Sequence, residues 1–477
     1  MYSFLLSVVA LIVGYIIYGK ITERVFGIDE NRKTPALLNP DGVDYVPMPW
    51  WRVFLIQFLN IAGLGPIFGA IMGVMFGSAS FLWIVLGTIF AGGVHDYLSG
   101  MMSVRTNGAS QAELVGMHLG TALKQFMRFF SLILMVLVGA VFVSGPAGLL
   151  AMLTPGVVSI SWWAVLIFVY YILATLLPID KIIGRIYPVF GFALLFMAIG
   201  IFVAMIVNKA PVPEFTAGFA NLHPKHLPIF PVMFVSIACG AISGFHATQS
   251  PLMARCIENE KLGRRVFYGS MVAEGIVALI WAAAASSFYG SVQGLQEHVA
   301  SLASNVNAPA QIVDQISKTW LGPVGGVLAL LGVIAAPLTS GDTALRSARL
   351  IAADFLKIDQ KPISKRLLIS VPLFLLTFVI LQLDFNVVWR YFAWCNQTLA
   401  VFTLWAITVY LYKQKRFYGI SLLPAMFMTA VSVSYIFISP EGFNLSYSIS
   451  VFAGVLSSVF LLLLFLYKMK IESRNAL

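Results

Sequence analysis

The chain has 477 residues, of which 59% are hydrophobic and 10% charged, with a mean hydropathy of +0.89. Soluble proteins carry about 25% charged residues, and no water-soluble surface can be built from so few. This excludes a soluble enzyme, a nucleic-acid binder and a disordered chain, and leaves a polytopic membrane protein whose net charge of +10 reads as loop bias rather than as a nucleic-acid footprint. Six His and three Cys (Cys239, Cys256, Cys395) are too few and too scattered for a zinc ribbon or a disulfide framework.

A spanning helix needs ~20 mostly apolar residues. In chain order the sequence predicts thirteen such segments, at 2–18, 50–75, 80–104, 127–152, 160–178, 186–207, 228–253, 266–290, 321–345, 366–382, 387–411, 418–438 and 447–467. The first is apolar from its second residue, and its first charges, Lys20 and Arg24, follow the apolar run. That fits a spanning helix with its N-terminus outside better than a cleaved signal peptide. Trp50, Trp51 and Arg52 precede the second segment as an interface anchor, and Ser110-Gln111-Ala112-Glu113 has capping-box spacing for a short helix between the third and fourth. Of the 30 basic residues only Lys209, Lys225, Lys318 and Arg390 fall in the connections on the far side. The expected orientation is therefore N-terminus outside and C-terminus cytoplasmic, in the inner membrane of a prokaryote.

Two segments are interrupted. The second contains Asn60-Ile61-Ala62-Gly63-Leu64-Gly65-Pro66-Ile67-Phe68-Gly69, and the seventh contains Cys239-Gly240-Ala241-Ile242-Ser243-Gly244-Phe245-His246, then Pro251. Gly and Pro weaken a helix and free its backbone groups. In lipid that is tolerated where the broken backbone faces protein or a wet cavity. Close packing through small residues explains one such segment. Two of them, five spans apart, predict inverted repeats with a binding site at the midplane. The repeats would be 50–207 and 228–411, with 2–18 as an extra N-terminal helix and 418–467 as peripheral helices.

These residues carry a resemblance. Asn39-Pro40-Asp41-Gly42-Val43-Asp44-Tyr45-Val46-Pro47, Ile61-Ala62-Gly63-Leu64-Gly65-Pro66, Ala91-Gly92-Gly93-Val94-His95-Asp96, Arg105-Thr106-Asn107-Gly108-Ala109-Ser110 and the stretch from Cys239 to His246 resemble the carbon starvation protein A (CstA) family of peptide and small-metabolite transporters. The likeness continues more weakly through Tyr268-Gly269-Ser270-Met271 and Glu274. It implies a LeuT-like fold of the amino acid–polyamine–organocation type, and a cargo such as a peptide or pyruvate.

Ionisable residues inside a membrane are costly, so each needs an account. Counting from the inner ends of their helices, His95, Asp96, His246 and Glu274 lie roughly 10–14 Å deep on the cytoplasmic side. Such a layer serves as a structural network, as a proton-coupling relay, or as a metal site of His95, Asp96 and His246. With Asp342, the four form the candidate coupling set. In LeuT-like folds the third helix of the second repeat supplies hydroxyls to a sodium site. By that resemblance Thr339, Ser340 and Thr343, with carbonyls near Ala62 and Gly63, form a candidate cation site. The structural alternative is back-bonding of these hydroxyls and an i, i+4 pair of Asp342 with Arg346.

Half-helix N-termini attract carboxylates, so the cargo is expected against Asn60, Gly63, Gly65, Ser243, Gly244, His246 and Gln249. The expectation is an ion-coupled importer using H+ or Na+, with no certain cofactor. The alternative is an intramembrane metalloprotein or enzyme built on the His95, Asp96, His246 layer. A passive channel is disfavoured, since two interrupted helices imply an occluded site.

Overall fold

The computed structural model describes every residue but 43, 177–178, 303–306, 361 and 476–477, and the backbone alone at 175–176, 179–188 and 475. Val43 of the motif before the second segment and the end of the predicted span 160–178 thus lie outside the described residues.

The described residues are helical, with one isolated parallel bridge between Met48 and Ile257. Among the described residues eleven helices are long and apolar enough to cross a membrane, and one bent pair adds a further candidate. In chain order the elements are α1 (Tyr2–Phe26), α2 (Trp50–Ile61), α3 (Gly65–Phe76), α4 (Ala79–Arg105), α5 (Gln111–Leu119), α6 (Thr121–Leu153), α7 (Ile160–Leu176), α8 (Ile179–Val207), α9 (229–237) and α10 (Gly244–Ala254). Then follow α11 (Glu260–Phe288), α12 (Val292–Ser301), α13 (Ala308–Leu356), α14 (Ile363–Ile380), α15 (Phe385–Lys413), α16 (Gly419–Ile438) and α17 (Tyr447–Arg474). Each of the thirteen predicted segments falls on one of these helices or on a broken pair. The predicted 160–178 corresponds to a shorter apolar helix, Ile160–Ala174.

Two differences have local causes. The segment 291–320, expected as a connection, is largely helical. Ser291 caps α12 by accepting the Gly294 N–H at 3.0 Å, and Asn307 caps α13 by accepting the Ala310 N–H at 3.2 Å. The helix α13 then turns at Gly322, whose φ of +70° favours glycine, before crossing the bundle. The predicted capping box is present: the Ser110 hydroxyl accepts the Glu113 N–H and the Glu113 carboxylate accepts the Ser110 N–H.

Burial sorts the helices. Large apolar side chains are exposed along α1, α14 and α17, as a lipid-facing surface requires. α4, α11 and α15 are mostly buried. α14 is therefore as peripheral as the first and last helices, although its sequence looks like any other span.

Candidate functional site

Both interruptions exist, and they touch. α2 and α3 are bent by 56°. The last helical bond of α2 runs from Ala62 N–H to the Phe58 carbonyl (2.8 Å), and Gly63 N–H then folds back onto the Ile61 carbonyl (2.8 Å). Pro66, which has no N–H to offer, stands at the start of α3. In the second interruption Ala238 has φ +39° and Ser243 is extended at the head of α10. A Cβ on Gly65 would lie 2.4 Å from the Cys239 Cβ, and one on Gly69 2.8 Å from the Ser236 carbonyl oxygen. The glycines allow the two broken helices to cross at van der Waals distance.

The leading end of the first interruption is held by α13. The Leu59 carbonyl accepts from the Thr339 hydroxyl at 3.2 Å and from the Ser340 hydroxyl at 3.0 Å. Both hydroxyls also lie within 3 Å of the Ala336 carbonyl, at 2.7 and 2.9 Å. Thr343 Oγ1 is 3.4 Å from Asn60 Oδ1 and bonds the Thr339 carbonyl at 3.0 Å. The predicted hydroxyls thus face the first broken helix, but the carbonyl they meet is that of Leu59. The carbonyls of Ala62 and Gly63, the expected partners, follow where α2 ends at Ile61. Asp342 accepts a 2.8 Å hydrogen bond from Tyr170 on α7.

The second interruption is held by α15. Asn396 Oδ1 accepts from the Ser243 hydroxyl (2.9 Å) and from the Phe245 N–H (2.7 Å), and its Nδ2 donates to Cys239 Sγ (3.1 Å). Gln397 Nε2 donates to the Ile242 carbonyl at 3.0 Å. One adjacent amide pair thus closes the groups that the break opens. Sequence reasoning missed both residues. The available signal was two neighbouring amides inside an apolar helix, where each polar group needs a partner.

Between these holds lies the polar layer. His95, Asp96, His246 and Glu274 are all 0% exposed. His95 Nδ1 is 2.7 Å from Asp96 Oδ1, and His246 Nδ1 is 2.8 Å from Asp96 Oδ2. On its other edge, His246 Nε2 lies 3.3 Å from Glu274 Oε2, off the angle of a hydrogen bond. The result is an ordered row, His95–Asp96–His246–Glu274, running from α4 through α10 to α11. Each ring nitrogen in contact meets its own carboxylate oxygen. Among the described residues no group of three His, Cys, Asp or Glu converges as metal ligands, since the ring nitrogens of His246 point along the row in opposite directions.

Of the expected cargo residues, Asn60, Ser243, His246 and Gln249 are fully buried near the interruptions. Gly63, Gly65 and Gly244 are close-approach positions: a Cβ would meet the Phe142 ring at 2.5 Å, Cys239 at 2.4 Å and the Ala400 nitrogen at 2.3 Å respectively. They can offer a ligand only backbone groups. Asn60 Nδ2, His95 Nε2, Gln249 Oε1 and both Glu274 oxygens are buried without a hydrogen-bond partner among the described residues. Each such group costs about 1–3 kcal/mol, and a cluster of them at broken helices marks a site built for something other than stability.

The sequence profile described as "Carbon starvation protein CstA" matches residues 1–162 and 151–323. Three relatives show the range of the likeness. An uncharacterized membrane protein of Haemophilus influenzae is 43% identical over 62% of this chain and 94% of its own. The peptide transporter CstA of Bacillus subtilis is 26% identical over 96% of this chain and 94% of its own. The pyruvate/proton symporter BtsT of Escherichia coli is 27% identical over 59% of this chain and 48% of its own. Among solved structures, MhsT in complex with L-phenylalanine aligns at a TM-score of 0.57 with 14% identity, covering 86% of this chain and 99% of that one. The Eremococcus coleocola manganese transporter aligns at 0.54 with 13% identity, covering 91% and 99%. These two share the LeuT-type fold. With the matched profile covering most of its length, the chain belongs to the carbon starvation protein CstA family and builds it on a LeuT-type helical bundle.

Proposed function

We propose that the protein is a proton-coupled secondary transporter that imports a small carboxylate-bearing nutrient by alternating access. The observation that carries this reading is His246, fully buried between the Asp96 and Glu274 carboxylates at the head of the second broken helix. A carboxylate moved alone into a dry interior faces a Born cost of order 20 kcal/mol, reduced to several kcal/mol by relaxation. A proton taken up on the Glu274–His246 end of the row cancels that charge. Cargo and proton then cross together because neither is stable there alone. The names of the relatives, a pyruvate/proton symporter and a peptide transporter, support this cargo class.

The same reading places the repeats at 50–207 and 228–411, the basic end of the bundle in the cytoplasm, and the cargo between Asn60, Ser243, His246 and Gln249. One observation favours a second reading, coupling to sodium: the Leu59 and Ala336 carbonyls and the Thr339 and Ser340 hydroxyls form an oxygen cluster, the donor set a hard cation takes.

Uptake into proteoliposomes decides between them. Labelled pyruvate and a labelled dipeptide are each offered under an inward proton gradient and, separately, a sodium gradient. Proton-driven accumulation that Glu274→Gln abolishes, with downhill exchange retained, is the expected result. Accumulation driven by sodium and lost in Ser340→Ala would replace the proton by sodium. Folded protein that accumulates neither cargo under either gradient would sink the proposal.

A further inference from the structure

A cavity of about 680 Å³ opens between α5, α15, α16 and α17, within the range of about 300–1,000 Å³ that ligand pockets occupy. α15 lends it Val401, Trp405 and Val409, and α17 lends it Phe460, Leu464 and Phe465. Phe460 and Leu464 remain exposed, so the cavity is a groove open to the bilayer. The polar groups along its apolar length are satisfied within its walls. Trp405 Nε1 donates to Thr429 Oγ1 at 3.1 Å. Thr398 donates its hydroxyl to the Trp394 carbonyl at 3.0 Å and lies 2.6 Å from the Ser432 hydroxyl. This stretch therefore presents apolar surface to an occupant and little that would hold a carboxylate or a file of water.

The charges stand at one end. Lys413, Lys468, Glu472 and His118 line the groove where α15 finishes and α5 ends. Glu472, one turn beyond Lys468 on α17, pairs with Lys413 at 3.1 Å. Both side chains are exposed, and such a pair holds weakly. Lys468 makes no ion pair among the described residues, so two ammonium groups share one carboxylate. His118 Nδ1 is buried without a hydrogen-bond partner. Burial and the Lys413 charge push the His118 imidazole down to about 4, so at neutral pH it adds a hydrogen-bonding group and no charge. The mouth is thus short of an anion. From Lys413 back to Thr398, α15 runs fifteen residues, about 22 Å of helix. The hydrocarbon of one leaflet is about 15 Å deep. The groove is long enough to hold an extended acyl chain below its charged mouth.

We infer that this groove seats an anionic phospholipid of the leaflet at the basic end, with its phosphate between Lys413 and Lys468 and one acyl chain along α15 and α17. Basic pockets between spanning helices suit anionic head groups, and lysines hold phosphate as point charges. Neither the cargo nor the coupling ion enters this assignment. The seat matters because of what α15 carries. Asn396 and Gln397, which hold the second interruption, directly precede Thr398 at the deep end of the groove. α5 reaches the same stretch through Gln111 Nε2, which donates to the Leu399 carbonyl at 3.4 Å. A lipid in the groove packs beside the helix that holds the break, and by binding the folded state it stabilises that state.

Native mass spectrometry of the full chain in mild detergent tests it, with phosphatidylglycerol and phosphatidylcholine of identical acyl chains as probes. One phosphatidylglycerol is expected to stay bound, several-fold more tightly than phosphatidylcholine, and to raise the thermal midpoint by a few degrees. Lys413→Gln combined with Lys468→Gln changes only exposed side chains and should bring phosphatidylglycerol down to the phosphatidylcholine level. Glu472→Gln removes the competing carboxylate and should tighten phosphatidylglycerol, the opposite of what loss of a structural ion pair would do. Ser457→Trp fills the deep end of the groove and should weaken both lipids alike. A phosphatidylglycerol with a photoreactive acyl end should crosslink within 398–409 or 457–465. Equal retention of the two lipids by wild-type protein overturns the inference, as does a preference that survives the double lysine variant or crosslinks that fall elsewhere. A polypeptide that co-purifies in equal amount and crosslinks to the same segments would give the groove to a partner helix and overturn it too.

Discussion

Asn396 shows how much one side chain can hold at a broken helix. Its single carbonyl oxygen accepts from both Ser243 and Phe245, and its amide reaches Cys239. Asn396→Ala leaves two buried donors unpaired, at about 1–3 kcal/mol each. The expected outcome is a thermal midpoint lowered by several degrees, measured by fluorescence-detected size exclusion, with cargo uptake lost beyond what stability explains. An unchanged midpoint would show that the break is held by other groups. At this scale the sequence was half legible. That His95, Asp96, His246 and Glu274 share one level followed from helical rise, which is fixed. Their contact did not, because the rotation of each helix about its axis is set by packing. The Leu59 carbonyl was illegible for another reason: a backbone group has no letter, and its availability depends on where the helix stops. Asn396 and Gln397 were readable as intramembrane amides but looked like any other polar pair.

The broken helices were the most legible elements, since glycine and proline clusters within apolar runs have few other uses. What their sequence hid is that the two breaks pack on each other. Gly69 faces the Ser236 and Ile237 carbonyl oxygens, at 2.8 and 3.0 Å from where a Cβ would stand. Backbone cannot rotate aside as a side chain can. Gly69→Ala is therefore expected to cost about 1–3 kcal/mol as overpacking and to slow transport more than it lowers stability, read as initial uptake rate against thermal midpoint. Wild-type rates in this variant would mean that the crossing separates freely during the cycle. The short helix α12 was missed because its caps and its Val292, Leu295, Val299 spacing were outweighed by a polar composition typical of loops. α13 overran its predicted span because helix formation does not stop where apolarity does.

For the whole molecule, the odd spacing of the two interruptions was enough to anticipate inverted repeats, and the resemblance to the carbon starvation protein A family supplied the LeuT-like bundle. Composition could not say which helices lie outside. α14 is as apolar as its neighbours and becomes peripheral only through the order in which the helices pack. Met48 has a consequence at this scale. It lies just ahead of α2, and the carbonyl it bonds, that of Cys256, lies just after α10. The lead-in to one broken helix and the run-out of the other are therefore knotted together at the same membrane face. A foreign peptide spliced in at 31–33, where the side chains are exposed, should leave uptake of labelled cargo intact. The same peptide spliced between Tyr45 and Met48 loosens the knot, and that uptake should fail although the protein still reaches the membrane. The map of tolerated insertions along this connection would then trace which part of it is rope and which part is rigging.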